Sequence, residues 1–261
     1  MDRAYMWKKQ AAAVFFPQRR CPVCGGFSRS GACDACKSEL ARLRPCPVCA
    51  AFISPAESEF YRCRGCAGTE PPFEQARAAA LYEGRLRDSL LAFKYHGRTG
   101  LRRPLAELLL EAFRRYYGAD TFDTVIPVPL HPQRLEQRGY NQAELLTAIL
   151  AQELSLEHGP QLLRRVKDTP PLSAASTRRQ RFELMRAAFQ AEPDCDGRRV
   201  LLVDDIYTTG ATASAASLAL RRQGAAAVCV LTVAAGRELS ADADAAAVPK
   251  AEKETPATDR M

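Results

Sequence analysis

The fold is decided by Val200–Thr212, which reads VLLVDDIYTTGAT. Its four apolar residues, Val200–Val203, are typical of a buried strand in a parallel sheet. Two acids, two threonines and a glycine follow, and an alanine-rich segment of helical character begins at Thr212. Because ligands of open α/β sheets bind at the carboxyl ends of the strands, this strand–loop–helix unit predicts a ligand site.

The second half of the stretch suits a phosphate. The N–H groups at a helix start have no helical partner and lie at the positive end of the helix dipole. Gly210 lets the backbone approach a ligand closely. The lysine of a G-K-[ST] nucleotide loop is absent from the sequence, so this is not a Walker loop. The predicted phosphate cradle consists of Thr208, Thr209, Gly210, Ala211 and Thr212.

The two acids, Asp204 and Asp205, suit another part of the same ligand. Carboxylates repel phosphate, but they accept hydrogen bonds from a vicinal diol and bind divalent cations. A monophosphate and a cis-diol about one ring apart describe a ribose 5-phosphate. The alternative is an Asp-Asp turn before an ordinary Thr-capped helix. A lone DD or TTG would not distinguish the two, but the whole run in register favours the ligand.

Eight of the ten cysteines form four C-x-x-C pairs. Each such turn aims two thiolates at one metal, and two turns complete a tetrahedral zinc site, so about two structural zinc ions are predicted. The sequence does not fix which turns share a metal. Disulfides, a redox dithiol and iron–sulfur ligation are the alternatives, but the fourfold repeat and the lack of an export signal favour zinc. The order along the chain gives one site from Cys21, Cys24, Cys33 and Cys36 and another from Cys46, Cys49, Cys63 and Cys66, with a crossed pairing as the alternative.

The composition shifts twice along the chain. Residues 17–70 are broken by Pro and Gly and carry the cysteine pairs, residues 73–236 alternate strand-like and helix-like runs, and residues 237–261 have no aromatic residue. This predicts a zinc-ribbon module, a parallel α/β domain and a disordered tail. The periodicity predicts helices over Arg85–Tyr95, Arg102–Tyr117, Asn141–Leu154 and Thr212–Gln223, strands over Val125–Val128, Val200–Val203 and Ala226–Val233, and a long loop or hairpin over Arg164–Phe189.

The whole chain has 261 residues, of which 47% are hydrophobic and 26% charged, with a net charge of +7. These values predict a soluble globular protein of one or two domains. No apolar run approaches the roughly 18 residues that span a bilayer, so we expect a cytoplasmic protein without membrane insertion. The positive charge fits either phosphorylated metabolites or nucleic acid. The cysteine module offers candidate nucleic-acid contacts, or an ordinary solvated surface, at Arg19, Arg20, Arg42, Arg44, Arg62 and Arg64.

Together these features resemble the competence protein F (ComF) family, a double zinc ribbon fused to a type I phosphoribosyltransferase domain. VLLVDDIYTTGAT resembles the phosphoribosyl pyrophosphate motif of type I phosphoribosyltransferases. FKYHGR (Phe93–Arg98) and VIPVPLHPQRLEQRGYNQAELL (Val125–Leu146) also look like family segments, and the resemblance covers about residues 17–236. It implies a type I phosphoribosyltransferase-like parallel sheet flanked by helices, preceded by a small zinc-ribbon module, and phosphoribosyl pyrophosphate bound with Mg²⁺.

The resemblance also implies roles for individual residues. Asp204 and Asp205 hold the ribose hydroxyls, the Thr208–Thr212 cradle holds the 5-phosphate, and Pro129 lies in the loop that approaches the pyrophosphate. Arg134 and Arg138 suit bidentate phosphate contacts, with a solvated helix start as the alternative. The implied catalytic residues are Asp204, Asp205 and Arg138. Gly139, Tyr140 and Asn141 complete the family motif. Lys94 either reaches the site or is a surface lysine. We expect His96 and His131 to pack against neighbours or to form hydrogen bonds.

The predicted mobile loop departs from the family pattern. Thr169 is followed by Pro170, Pro171 and Leu172, and Gln180 and Leu184 stand where an acid and an amide are expected. Such a loop closes over substrate and excludes water, so its altered polar set bears on catalysis. The favoured function is transfer of a phosphoribosyl group to a nitrogen acceptor, linked to competence and DNA uptake. The alternatives are a non-catalytic adaptor that binds single-stranded DNA or an uptake protein, and a phosphoribosyl pyrophosphate sensor.

Overall fold

The structure is a computed structural model that describes residues 20–53, 62–67, 70–118, 122–169, 185 and 187–237. Nearly all of the regular structure lies in the α/β part of the chain. In chain order the elements are α1 (Asp34–Ala41), β1 (Arg44–Pro45), β2 (Phe52–Ile53), β3 (Gln75–Leu81), α2 (Gly84–Tyr95), α3 (Arg102–Tyr116), β4 (Thr124–Pro127), α4 (Pro132–Arg138), α5 (Gln142–Leu154), β5 (Glu157–His158), β6 (Leu163–Arg165), β7 (Phe189–Ala191), β8 (Arg199–Tyr207), α6 (Ala211–Arg222) and β9 (Ala227–Ala235).

A five-stranded parallel sheet lies at the centre of the molecule, in the order β3–β9–β8–β4–β5. All nine residues of β9 are buried, because helices cover both faces of the sheet. Residues that alternate along β8 point to opposite faces. On one face Leu201 packs in a core with residues of α3 and α5, and on the other Leu202 packs with the alanines of α6. The sheet confirms the predicted α/β fold.

The carboxyl ends of β4 and β8 form a switch point in the topology of the sheet, which we call the crevice. From β4 the chain passes through α5 to β5 at one edge of the sheet, and from β8 it passes through α6 to β9 in the other direction. Neighbouring strands whose connections diverge mark the point where ligands bind in open α/β sheets. The Val128 N–H donates to the Val203 carbonyl at 2.8 Å, so the loop after β4 starts beside Asp204.

The cysteine segments pack on both faces of the sheet at the β3 edge. Cys21 and Cys36 belong to the core that contains α3, whereas Cys46 and Cys66 belong to the core that contains α6. Polar contacts fix both segments: Lys37 lies 3.1 Å from Glu111 of α3, and Arg77 of β3 donates to the Cys46 and Pro47 carbonyls at 3.2 and 3.0 Å. The cysteine segments therefore share the hydrophobic cores of the sheet. The domain bounds at residues 17–70 and 73–236 stay predictions.

All four predicted helices are confirmed to within a residue at each end, but the predicted end of β8 was wrong. β8 continues through the acids to Tyr207, because β9 pairs with it as far as Ala235. The predicted hairpin is confirmed at its ends, where Leu163 pairs with Ala191. Its middle and the predicted tail lie outside the described residues. Cys195 and Cys229, the two cysteines outside the C-x-x-C pairs, are buried in the core. Among the described helices, none has the length and apolar character needed to cross a membrane.

Candidate functional site

The acid pair lies near the carboxyl end of β8, inside the crevice. Asp204 is partly buried and Asp205 is buried. The Asp205 N–H donates to Asp204 Oδ1 at 2.8 Å, and Lys94 Nζ lies 3.4 Å from Asp205 Oδ2. Lys94 comes from the last turn of α2. Of its two predicted alternatives, the structure supports the one in which Lys94 reaches the site.

Burial governs the electrostatics of this pair. Burial and the neighbouring charge of Asp205 both raise the pKa of Asp204 and Lys94 opposes them, with the net result that this pKa rises to about 8. Attraction to Asp205 raises the pKa of Lys94. Buried carboxylates are costly unless hydrogen-bond donors or cations neutralise them. The pair is therefore suited to hydroxyl groups or to a divalent cation.

The loop between β8 and α6 has the geometry of an anion site. Gly210 has φ = 76°, and a Cβ atom there would lie 2.2 Å from Tyr207 Oη, so only glycine fits. The first N–H groups of α6 follow at once and have no helical acceptor. Thr209 Oγ1 is buried and has no hydrogen-bond partner among the described residues. Since a buried hydroxyl without a partner is unfavourable, a phosphate oxygen that accepts a hydrogen bond from it would satisfy this group.

The loop after β4 is fixed beside the acid pair by Asn141. Its side-chain oxygen accepts from the Ala143 N–H at 3.1 Å and caps α5, and its Nδ2 donates to the Val128 carbonyl at 3.1 Å. Gly139 ends α4 with φ = 79°, which lets the chain turn from α4 into α5. His131 Nδ1, in the same loop, is buried without a partner in the described part of the chain. Pro129 lies in this loop, as expected.

Arg138 is held next to Lys94. Its Nη1 donates to Gln142 Oε1 at 2.6 Å, and Gln142 Nε2 donates to the Lys94 carbonyl at 3.1 Å. The Arg138 guanidinium lies 5.5 Å from the centre of the Tyr95 ring. The Tyr140 hydroxyl donates to the Phe93 carbonyl. The two sequence segments FKYHGR and RGYNQ therefore meet in space.

Arg134 lies elsewhere and makes other contacts. Its Nε is 3.1 Å from Asp168 Oδ1, and its Nη2 donates to the Thr169 carbonyl at 2.6 Å. Arg165 Nη2 donates to Thr169 Oγ1 at 2.5 Å. Arg134 and Arg165 therefore both bind Thr169, the last described residue before residue 170. The structure thus engages Arg134 with the start of the predicted mobile loop. Residues 170–184, which include Gln180 and Leu184, lie outside the described residues.

Arg165 is the residue that the sequence analysis missed. Burial lowers its pKa and Arg134 lowers it further, whereas the charges of Asp168 and, less strongly, Asp204 oppose this. It stands in a basic stretch without clear periodicity, and therefore no pattern distinguished it from its neighbours. Only the β6–β7 pairing identifies its position.

The cysteines form two compact tetrads: Cys21, Cys24, Cys33 and Cys36 in the first, and Cys46, Cys49, Cys63 and Cys66 in the second, with the sulfur atoms of each within 4.8 Å of one another. The Cys24 and Cys33 sulfurs are 3.7 Å apart and those of Cys49 and Cys63 are 3.5 Å apart. Tetrahedral zinc at Zn–S distances of about 2.3 Å places sulfurs about 3.8 Å apart, which fits both tetrads. None of the ten cysteines is in a disulfide. The grouping follows the order along the chain, and the crossed pairing does not form.

The two tetrads differ in burial. In the first, Cys24 is exposed and Cys33 partly exposed, whereas all four cysteines of the second are buried. The second tetrad lies between β2 and the sheet, where the Phe52 N–H donates to the Gly236 carbonyl at 3.2 Å. Both donor sets are closed four-thiolate sets without an open position, which suits structural rather than catalytic metal.

Comparison with known proteins agrees with this geometry. The chain is 31% identical over 215 residues to competence protein F of Haemophilus influenzae, a match that covers 78% of this chain and 92% of that protein. The chain belongs to the ComF family. The DNA utilization protein YhgH of Salmonella typhimurium is 31% identical, over 78% of this chain and 90% of its own. Competence protein ComFC of Bacillus subtilis is 28% identical, over 75% and 80%. Residues 141–255 of this ComF-family chain match the phosphoribosyl transferase domain.

Proposed function

We propose that this ComF-family protein binds phosphoribosyl pyrophosphate with Mg²⁺ and transfers the phosphoribosyl group to a nitrogen acceptor. The observation that carries the proposal is the meeting of three elements at the crevice between β4 and β8: the acid pair, the Thr208–Thr212 loop and the loop after β4. The names of its relatives, which refer to competence and DNA utilization, support a role linked to DNA uptake.

Each part of the ligand matches one part of the site. The 5-phosphate fits the N–H groups at the start of α6 and the buried Thr209 hydroxyl. The ribose hydroxyls fit Asp204 and Asp205, which accept hydrogen bonds. The pyrophosphate fits the loop that contains Pro129 and the guanidinium of Arg138, which ends the helix that follows this loop. Mg²⁺, when bound with the ligand, supplies positive charge to the pyrophosphate oxygens.

The proposed reaction is a glycosyl transfer. The acceptor nitrogen forms a bond to the anomeric carbon while the carbon–oxygen bond to pyrophosphate breaks; pyrophosphate leaves with the electron pair, and the nitrogen loses a proton. Positive charge develops on the ribose, close to the carboxylates of Asp204 and Asp205, and negative charge develops on the pyrophosphate, close to Arg138. Fixed charges that match those of the transition state supply the acceleration, together with positioning.

Calorimetric titration with phosphoribosyl pyrophosphate and Mg²⁺ tests the binding. The wild-type protein is expected to bind, and the double variant Asp204→Ala, Asp205→Ala to lose binding. Asp194→Ala, which removes an exposed acid before the amino end of β8, is the control and should bind normally. Equal affinity in the wild type and the double variant would rule out the site.

Pyrophosphate release then separates a transferase from a sensor. The wild-type protein, incubated with the ligand and a panel of bases and amines, is expected to release pyrophosphate with at least one acceptor. Binding without release for any acceptor would support the sensor and contradict the transferase.

A second candidate function, binding of single-stranded DNA, is favoured by the surface around the first tetrad. Phe27 is 76% exposed and is bridged to Arg20. A cavity of about 910 Å³ beside it is lined by Arg20, Arg85 and Arg98. Exposed aromatic rings among basic residues bind single strands by stacking and by charge. Of the arginines predicted to contact nucleic acid, Arg20 lies at this surface.

Fluorescence anisotropy with a labelled oligonucleotide tests this second function. Binding is expected to weaken steeply as the salt concentration rises, because phosphate contacts release counterions. At any one salt concentration, Phe27→Ala should bind the oligonucleotide more weakly than the wild type. The Asp204→Ala, Asp205→Ala variant should retain it. Unchanged binding in Phe27→Ala would contradict the surface assignment.

A further inference from the structure

Lys94 occupies an unusual position for a lysine. Its side chain is only 27% exposed and ends 3.4 Å from Asp205 Oδ2, on a side chain that is 9% exposed. Ion pairs at an open surface are largely screened by water and contribute little. This pair lies within the crevice, where screening is weaker, so the lysine is a substantial part of the charge balance at the acid pair.

The neighbours of Lys94 place it between the two ends of the proposed ligand. On one side is Asp205, where the ribose hydroxyls fit. On the other is Arg138, whose charge is close enough to oppose the raised pKa of Lys94. Both cations lie near the Tyr95 ring, with Lys94 Nζ at 6.0 Å and the Arg138 guanidinium at 5.5 Å. Gln142 bridges them, since it accepts from Arg138 and donates to the Lys94 carbonyl.

We infer that Lys94 is an exchangeable counter-ion: it neutralises Asp205 in the ligand-free protein and moves to a phosphate oxygen when the ribose hydroxyls take over the carboxylate. This inference rests on the proposed function and names a further ligand-positioning residue for the same site. A buried carboxylate needs a partner before the ligand arrives, and a pyrophosphate group needs cations after it arrives. A flexible lysine meets both needs in turn, because its ammonium is a point charge on a long stem.

The exchange has a consequence for metal binding. A bare divalent cation would compete with Lys94 for Asp205, so the lysine keeps the acid pair from collecting metal before the substrate arrives. Removing the ammonium should therefore affect two ligands in opposite directions. A bare metal ion should bind more tightly, and phosphoribosyl pyrophosphate should bind more weakly. A residue with a merely structural role would weaken both or neither.

The test uses the full-length protein with Lys94→Met and Lys94→Gln, which remove the charge, and Lys94→Arg, which keeps it. Arg222→Met, which removes an exposed positive charge at the far end of α6, is the control. Binding of Mn²⁺ to the ligand-free protein is followed by the electron paramagnetic resonance signal of free Mn²⁺. Binding of phosphoribosyl pyrophosphate with Mg²⁺ is followed by calorimetry. Zinc content and the thermal unfolding midpoint identify any variant that fails to fold.

We expect Lys94→Met and Lys94→Gln to bind Mn²⁺ about tenfold more tightly and phosphoribosyl pyrophosphate about tenfold or more weakly than the wild type. Lys94→Arg should recover much of the wild-type behaviour in both assays. Unchanged or weaker Mn²⁺ binding in both neutral variants would overturn the counter-ion role, and unchanged phosphoribosyl pyrophosphate binding would overturn the exchange. Failure of the wild type itself to bind phosphoribosyl pyrophosphate would instead overturn the proposed function, and the exchange with it.

Discussion

Replacing Asp204 with asparagine measures how much stability the ligand-free protein loses when the buried Asp204 carboxyl ionises. The ordinary pKa of this carboxyl is 3.8, and burial raises it to about 8 in the folded state. Between these values the folded protein retains a proton that the unfolded chain has released. The free energy of unfolding therefore falls as pH rises through this window, and the loss is complete above about pH 8. Asparagine does not titrate, so Asp204→Asn avoids this loss.

The size of the effect follows from the linkage between proton binding and folding. Each unit of pH within the window costs about 1.4 kcal/mol, so between about pH 6 and pH 8 the variant should gain on the order of 2 kcal/mol over the wild type. Above about pH 8 the difference should level off. Urea unfolding of both proteins at several pH values above about 6, where the cysteine thiolates keep their metal, measures it.

Subtraction of the two unfolding curves removes the contributions of the titrating groups that do not interact with Asp204, because both proteins share them. Asp194→Asn, which makes the same substitution at an exposed position, is the control. A difference between Asp204→Asn and the wild type that stays constant with pH would refute the reasoning. So would a variant that loses stability relative to the wild type as pH rises.

Two further predictions concern the phosphate loop and the tetrads. Gly210→Ala should lower the free energy of unfolding by on the order of 2 kcal/mol and weaken phosphoribosyl pyrophosphate binding, because the added Cβ meets both a left-handed φ and a clash with Tyr207. Gly197→Ala meets only the left-handed φ, so urea unfolding should show a smaller loss of stability. Equal losses in the two variants would contradict the clash. Cys49→Ser and Cys24→Ser should each leave about one zinc ion per chain, measured by elemental analysis. Cys49→Ser should lower the thermal unfolding midpoint more than Cys24→Ser does, because Cys49 is buried in the core of the sheet. Equal midpoints would contradict this difference.

The sequence predicted those parts of the fold whose local pattern is strong. The apolar run Val200–Val203 predicted a buried strand, and the periodicity over Asn141–Leu154 predicted α5, because both depend on neighbouring residues along the chain. The end of β8 was not predictable in this way. Its continuation to Tyr207 depends on pairing with β9, and acids are uncommon inside strands.

The candidate site was predicted where it lies on one contiguous segment and was incomplete where it depends on distant segments. Asp204, Asp205 and the phosphate loop follow one another in the sequence. Lys94 could be assigned to the site only after α2 had been placed next to β8, because the ion pair with Asp205 joins residues far apart in the chain. Arg165 depends in the same way on the hairpin that brings it near Asp204.

A crystal structure of the protein grown with phosphoribosyl pyrophosphate and Mg²⁺ tests the central claim most directly. The 5-phosphate is expected to accept hydrogen bonds from the N–H groups of Thr208–Thr212 and from the Thr209 hydroxyl, and the ribose hydroxyls are expected to donate to Asp204 and Asp205. Ligand density at another surface, or a ligand in the crevice whose phosphate does not contact this loop, would contradict the account.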